Sequence, residues 1–174
     1  MKKEFSILFK KMNILILGDY MDKKKIFRIV ISILIPLAIG GISALLGGST
    51  AMFDNVNKPW FAPPAIVFPI AWGILYTLMG ISSYLVYVSD NEYKTTGLVF
   101  YALQLIVNMF WSMIFFRFEN FFFAFVWLLL LLLLVLVMMY YFYKSNKTAF
   151  YLQIPYVLWL VFATILNYAI YTLN

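Results

Sequence analysis

The chain has 174 residues, 65% of them hydrophobic and only 11% charged, with a net charge of +6 and neither Cys nor His. A soluble domain carries roughly 25% charged residues, so this chain lacks the polar surface needed to face water, and no basic, folded, water-facing surface is left to bind nucleic acid. Without Cys or His, disulfides, thiol chemistry and the commonest metal and haem ligands are excluded, and no metal and no cofactor is expected.

Residues 1–25 read as an N-terminal leader to a membrane domain over 26–174. Phe5, Leu8, Phe9, Met12, Leu15 and Ile16 follow helical spacing with Lys3 and Lys10 opposite, which suits an amphipathic helix on an anionic lipid leaflet. The other reading is translated leader DNA. Met21-Asp22-Lys23-Lys24-Lys25 looks like a bacterial start, and Gly18-Asp19-Tyr20 can be encoded with a GGAG ribosome-binding sequence just upstream. Lysines interrupt the apolar stretch and no small-residue cleavage site follows, unlike a signal peptide.

Five apolar segments come next: Ile29–Gly48, Ile66–Val88, Gly97–Phe116, Phe121–Tyr143 and Phe150–Leu173. None contains Asp, Glu, Lys or Arg. About 20 helical residues span the ~30 Å hydrocarbon layer, and a charge at its centre costs at least ~2.5 kcal/mol. Nothing alternates with the two-residue period of a membrane β-barrel. The expected fold is therefore an all-α integral membrane protein, a bundle of five transmembrane helices.

Eleven of the 13 Lys and Arg lie before the first segment or in the loops after the second and fourth; only Lys58 and Arg117 lie in the alternate loops. The positive-inside rule then places the N-terminus in the cytoplasm and the C-terminus outside. The expected location is a bacterial inner membrane, with lipid as a constant partner.

In the first segment, Gly40, Ala44 and Gly48 form a small-residue stripe that lets helix backbones approach closely. Packing within the bundle and a homodimer interface both suit it. The outward loop from Ser49 to Pro64 carries Phe53, Lys58, Pro59, Trp60, Phe61, Pro63 and Pro64, a stiff amphipathic cover rather than a floppy linker. General interfacial anchoring is the alternative role for Trp60 and Phe61.

The second segment sets Pro69, Trp72, Tyr76, Gly80 and Ser83 along one side, and the third does so with Gln104, Asn108, Trp111, Ser112 and Phe115. Below Pro155, the fifth carries Trp159, Ala163 and Asn167. The fourth is nearly uniform Leu, Val and Phe, as expected of a helix facing lipid or a tight partner. Polar side chains within a bilayer turn inward, so the three stripes are expected to converge. Singly, each residue is explained as interhelical glue or filler. Together they suit a pocket for a flat hydrophobic ligand, aromatic faces stacking on it and amides orienting its polar edge.

Three blocks in order then become recognisable. They are Lys58-Pro59-Trp60-Phe61-Ala62-Pro63-Pro64 with Phe68-Pro69 and Trp72; Asn108-Met109-Phe110-Trp111-Ser112 with Phe115-Phe116; and Pro155-Tyr156-x-x-Trp159 with Phe162-Ala163 and Leu166-Asn167. The chain from Ile26 to Asn174 resembles the TspO/translocator protein family, also called tryptophan-rich sensory proteins or peripheral-type benzodiazepine receptors.

The resemblance implies a five-helix bundle, often dimeric, with a pocket opening toward the loop between the first two helices. It implies binding of porphyrins such as protoporphyrin IX and of synthetic aromatic ligands. Trp72, Tyr76, Asn108, Trp111, Ser112, Trp159, Ala163 and Asn167 match the family's pocket-lining positions. Animal members end in a proposed cholesterol motif; here Tyr168 and Tyr171 are followed by no basic residue, so a specific cholesterol role is not supported.

Three functions compete on this reading. The first is a tetrapyrrole-binding protein with a sensory or regulatory role in tetrapyrrole and stress homeostasis. The second is a light- and oxygen-dependent porphyrin-degrading enzyme, in which the porphyrin is substrate and Trp72 and Trp159 donate electrons. The third is a tetrapyrrole transporter, ranked last because no internal repeat of the kind found in many carriers is present.

Overall fold

A computed structural model describes residues 2–48 and 52–174, with side chains from Lys23 onward. The side chains of residues 1–20, read above as a leader or a surface helix, lie outside the described residues, and so does the loop segment 49–51.

Helix α1 (Lys2–Gly47) is followed by a single turn, α2 (Met52–Asn55), and then by α3 (Val67–Tyr87) and α4 (Lys94–Ser112). A π-helical turn, Met113–Arg117, continues α4 before α5 (Phe121–Ser145), α6 (Lys147–Leu152) and α7 (Ile154–Leu173). Five helical spans are long and apolar enough to cross a membrane: Lys23–Gly47, Val67–Tyr87, Lys94–Arg117, Phe121–Ser145 and Lys147–Leu173. The protein is an all-α, multi-pass membrane protein.

These spans differ at their ends from the apolar runs in the sequence. Lys94, Arg117, Lys144 and Lys147 close helices rather than sit in loops, because long basic side chains reach the interface while their stems stay apolar. The fifth span is broken at Gln153, where Pro155 enters the first turn of α7 and has no N–H with which to continue α6. The α4–α5 connection is equally tight. Phe118 N donates to Met113 O at 3.0 Å, Glu119 adopts φ 52°, and the Asn120 side chain caps α5 by accepting from Phe123 N at 3.1 Å.

The spans close into a ring. Helix α1 packs on α3 and α4, α4 on α5, α5 on α7, and the α6 end of the fifth span returns to α3. Helix α5 buries a seam of Leu128, Leu131, Val135, Met138 and Phe142, spaced three and four apart as at the a and d positions of a coiled coil. Its other faces, including Leu129, Leu133 and Leu136, are exposed and suited to lipid. Trp127 Nε1 donates to Val107 O at 2.7 Å, tying α5 to α4.

At the α1–α3 crossing the two backbones approach closely. Gly80 lies directly against Ile33 and the Ser32 carbonyl. Pro36, four residues after Ser32, cannot donate to that carbonyl, and α3 passes over the backbone there with a residue that has no side chain.

Candidate functional site

A cavity of about 640 Å³ opens between α1, α3 and α4 beneath α2. Helix α1 supplies its smallest wall, Gly40, Gly41, Ser43, Ala44, Gly47 and Gly48. Gly40, Ala44 and Gly48 of the sequence stripe thus all line this cavity. A Cβ at Gly40 would run into the Tyr76 ring, and one at Gly47 would come within 3.0 Å of Ser112 Cβ. The absent side chains are the space of the cavity.

The opposite walls are aromatic. Trp72 stacks on Tyr76 with centroids 5.2 Å apart and planes inclined 27°. Tyr76 Oη accepts from Asn108 Nδ2 at 3.3 Å, which leaves the phenol proton and the Asn108 carbonyl oxygen to orient a ligand. Trp111 stacks on Phe115 at 5.1 Å and reaches the cavity from α4. The Ser43 hydroxyl lies 2.9 Å from both Met109 O and Ser112 Oγ, fastening α1 to α4 at the cavity edge. No Asp, Glu, Lys or Arg is among the lining residues. The walls offer stacking surface and neutral hydrogen bonds, and among the described residues no group of three His, Cys, Asp or Glu is brought together.

Of the sequence-derived residues, Trp72, Tyr76, Asn108, Trp111 and Ser112 line the cavity. Trp159, Ala163 and Asn167 do not line it, because α7 packs on α5 and other aromatics fill the space between. Trp159 meets the edge of Phe68 at 6.0 Å. Asn167 acts one layer back: its Oδ1 accepts from Trp111 Nε1 at 3.4 Å and its Nδ2 donates to Phe121 O at 2.8 Å. That holds the Trp111 ring in place.

The loop residues divide as well. Phe53 is buried, lines the cavity and packs edge-on to Phe68 at 5.3 Å. Lys58 Nζ stands 4.8 Å from the Phe53 ring centroid and 3.9 Å from Asp54 Oδ1, holding the ring from outside. Phe61 leans on Phe162 at 6.5 Å. Trp60 turns away and is 95% exposed, a placement that suits the interfacial-anchor reading rather than a lid. Pro59 and Pro64 shape the loop through carbonyls that accept from Ala62 N and Val67 N, each at 3.0 Å, with Pro63 between them.

Two features were beyond the sequence. The first is the cavity-lining role of Gly41, Ser43 and Gly47; the small-residue stripe was the signal, but spacing alone does not say what faces it. The second is a latch between the loop and the end of α7. Asn57 N donates to Asn174 Oδ1 at 3.0 Å, Asn174 Nδ2 donates to Asn57 O at 3.0 Å, and Asn57 Nδ2 donates to Leu173 O at 3.2 Å. Asn174→Ala removes two of these bonds. At roughly 0.5–1.5 kcal/mol per bond, amide hydrogen exchange across 52–66 is expected to quicken by about tenfold. Unchanged exchange would show that the aromatic contacts alone hold the loop.

Comparison with known proteins agrees with the architecture. The model of the TspO/MBR family matches residues 32–173. Protein CrtK of Rhodobacter capsulatus is 33% identical over 142 residues, covering 80% of this chain and 89% of that protein. Tryptophan-rich protein TspO of Archaeoglobus fulgidus is 35% identical over 155 residues, covering 86% and 98%. The translocator protein of Homo sapiens is 33% identical over 131 residues, covering 74% and 78%. The match takes in the first span from residue 32 onward, the other four spans and the aromatic blocks that build the cavity and its cover, and this chain belongs to the TspO/MBR family.

Proposed function

We propose that this protein binds a porphyrin or related tetrapyrrole of the protoporphyrin IX type in the cavity between α1, α3 and α4, and that binding serves a sensory or regulatory role in tetrapyrrole and stress homeostasis. The observation that carries the reading is the cavity itself. Its volume of about 640 Å³ lies within the ~300–1,000 Å³ of small-molecule sites. Its glycine floor and stacked Trp72–Tyr76 wall suit a flat, apolar ligand. Tyr76 and Asn108 supply a neutral polar edge, and a chain with no His or Cys suits a metal-free macrocycle better than a ligated haem. In a bacterial inner membrane, the Lys and Arg distribution places the α2 side outward.

The test is tryptophan-fluorescence quenching by protoporphyrin IX in detergent and in darkness. Trp72 and Trp111 stand at the cavity wall, so saturable quenching is expected. Asn108→Ala leaves the buried Tyr76 hydroxyl without its donor, a loss of about 1–3 kcal/mol, and is expected to weaken binding about tenfold. Trp159→Phe, one layer back, is expected to weaken it less. Linear quenching, identical in all three proteins, would mean that the porphyrin only partitions into micelles.

A second reading, light- and oxygen-dependent degradation of the porphyrin, is favoured by the stacking of Trp72 on Tyr76, which sets an oxidisable pair at the cavity wall. On this reading illumination destroys many porphyrins per protein, and Trp72→Phe slows the loss. Stoichiometric bleaching insensitive to that change would leave binding alone.

A further inference from the structure

The bundle interior contains a second group of polar side chains, nearer the α6 end than the cavity. Gln104 and Gln153 are both fully buried. Gln104 Oε1 accepts from Tyr156 Oη at 2.9 Å. Its Nε2, both amide atoms of Gln153 and the buried Tyr101 hydroxyl have no hydrogen-bond partner in the protein. The Ser83 hydroxyl beside it donates to Gly80 O at 2.9 Å and keeps lone pairs able to take the Tyr101 proton, which leaves the Tyr101 oxygen open to accept. Native interiors rarely leave such groups unpaired, and a bilayer offers them no rescue.

Their placement is concerted. Alternate spans of the bundle run in the same direction, so α4 and α7 are parallel. The Tyr156–Gln104 bond sets those two residues at one depth. Tyr101 precedes Gln104 by three positions in α4, and Gln153 caps α7 three positions before Tyr156, its carbonyl accepting from Val157 N at 3.1 Å, so both lie about one helical turn toward the α6 end. The unpaired atoms are of both kinds, amide donors and a carbonyl acceptor, with a hydroxyl that can be either. An apolar occupant would satisfy none of them, and a bare cation would repel the amide donors. The small molecule that donates and accepts at once is water, which needs two to four polar partners to be held inside a protein.

We propose that Tyr101, Gln104 and Gln153 form an internal water site, in which one or more molecules bridge Gln153 to Gln104 Nε2 and Tyr101 Oη. The site positions Tyr156, whose hydroxyl is fixed by Gln104 and whose ring meets Trp72 edge-on at 6.2 Å. A hydrogen-bonded column then runs from the α6–α7 turn to the ring that backs the cavity wall. The inference does not depend on which ligand the cavity takes.

The test uses the full chain in micelles or nanodiscs. Water–protein nuclear Overhauser effects are measured to the side-chain NH2 groups, assigned with Gln104→Met and Gln153→Met. Both groups are expected to show cross-peaks of the sign given by water bound for longer than about a nanosecond. Their absence from Gln153 overturns the proposal. Thermal stability gives an independent reading. If water is bound, Gln153→Met leaves Gln104 and Tyr101 without their bridge and lowers the melting temperature by several degrees. If the site is dry, the same change removes two orphaned atoms and raises it, which overturns the proposal equally. Should Gln153→Met fail to fold, the wild-type spectra decide alone.

Discussion

Gly80→Val is expected to lower the apparent melting temperature of the detergent-solubilised protein by about 2–12 °C, the largest stability effect of any single substitution considered. A Cβ at this position would press into the Ile33 Cα, and would lie 2.6 Å from Ser32 O and 2.8 Å from Ile33 N. All three are backbone atoms, so no rotamer change relieves the overlap and the two helices must separate. Overpacking costs typically 1–3 kcal/mol and sometimes more, and each kcal/mol moves the midpoint by about 2–4 °C in a chain of this size. Gly73→Ala is the control. A Cβ there meets nothing within 4 Å, and alanine gains up to about 1 kcal/mol of helix propensity over glycine, so its midpoint should stay or rise. Since solubilised membrane proteins often unfold irreversibly, both variants need the same heating rate. Equal midpoints would mean that α1 and α3 do not cross at Gly80.

Gly40→Leu is expected to spare the fold and abolish ligand binding. Here the obstructing group is the Tyr76 ring, which can swing where a backbone cannot. Its movement breaks the bond from Asn108 and unstacks Trp72, and the leucine side chain occupies the cavity floor. Loss of about 3 kcal/mol corresponds to a fall in affinity of roughly 150-fold, readable as the disappearance of saturable protoporphyrin IX quenching. Gly41→Ala, at a neighbouring position where a Cβ meets nothing, should retain most of the affinity. Wild-type quenching in Gly40→Leu would place the ligand outside this cavity and remove the main support for the proposed function, while the fold and the family would stand.

How far the site could be read beforehand differs from helix to helix. On α4 the amides identify the inward face, because Gln104 and Asn108 have nowhere to go but the interior; both are buried. On α5 no such reading is possible. Leu128, Leu131 and Val135 are buried while Leu129, Leu133 and Leu136 face outward, yet the side chains are alike. In water a polar face would mark the outside of a helix; in lipid both faces are apolar and the period vanishes. The widened turn at Met113–Arg117 and the break at Gln153 also exceed what the apolar runs disclose.

Composition alone determined that the chain spans a membrane five times, since the free energy of placing about 20 uncharged residues in hydrocarbon depends on what they are and not on what they touch. The order of the aromatic blocks likewise sufficed for the family. Tertiary structure decided which residues meet. It set Gly40 against Tyr76, put Phe53 over the cavity while Trp60 points outward, and held Asn167 behind Trp111 instead of in the wall. Those outcomes depend on how helices rotate and cross, and in a bilayer that is governed by close packing and a few interhelical hydrogen bonds. Both are properties of pairs of surfaces, which no single segment carries.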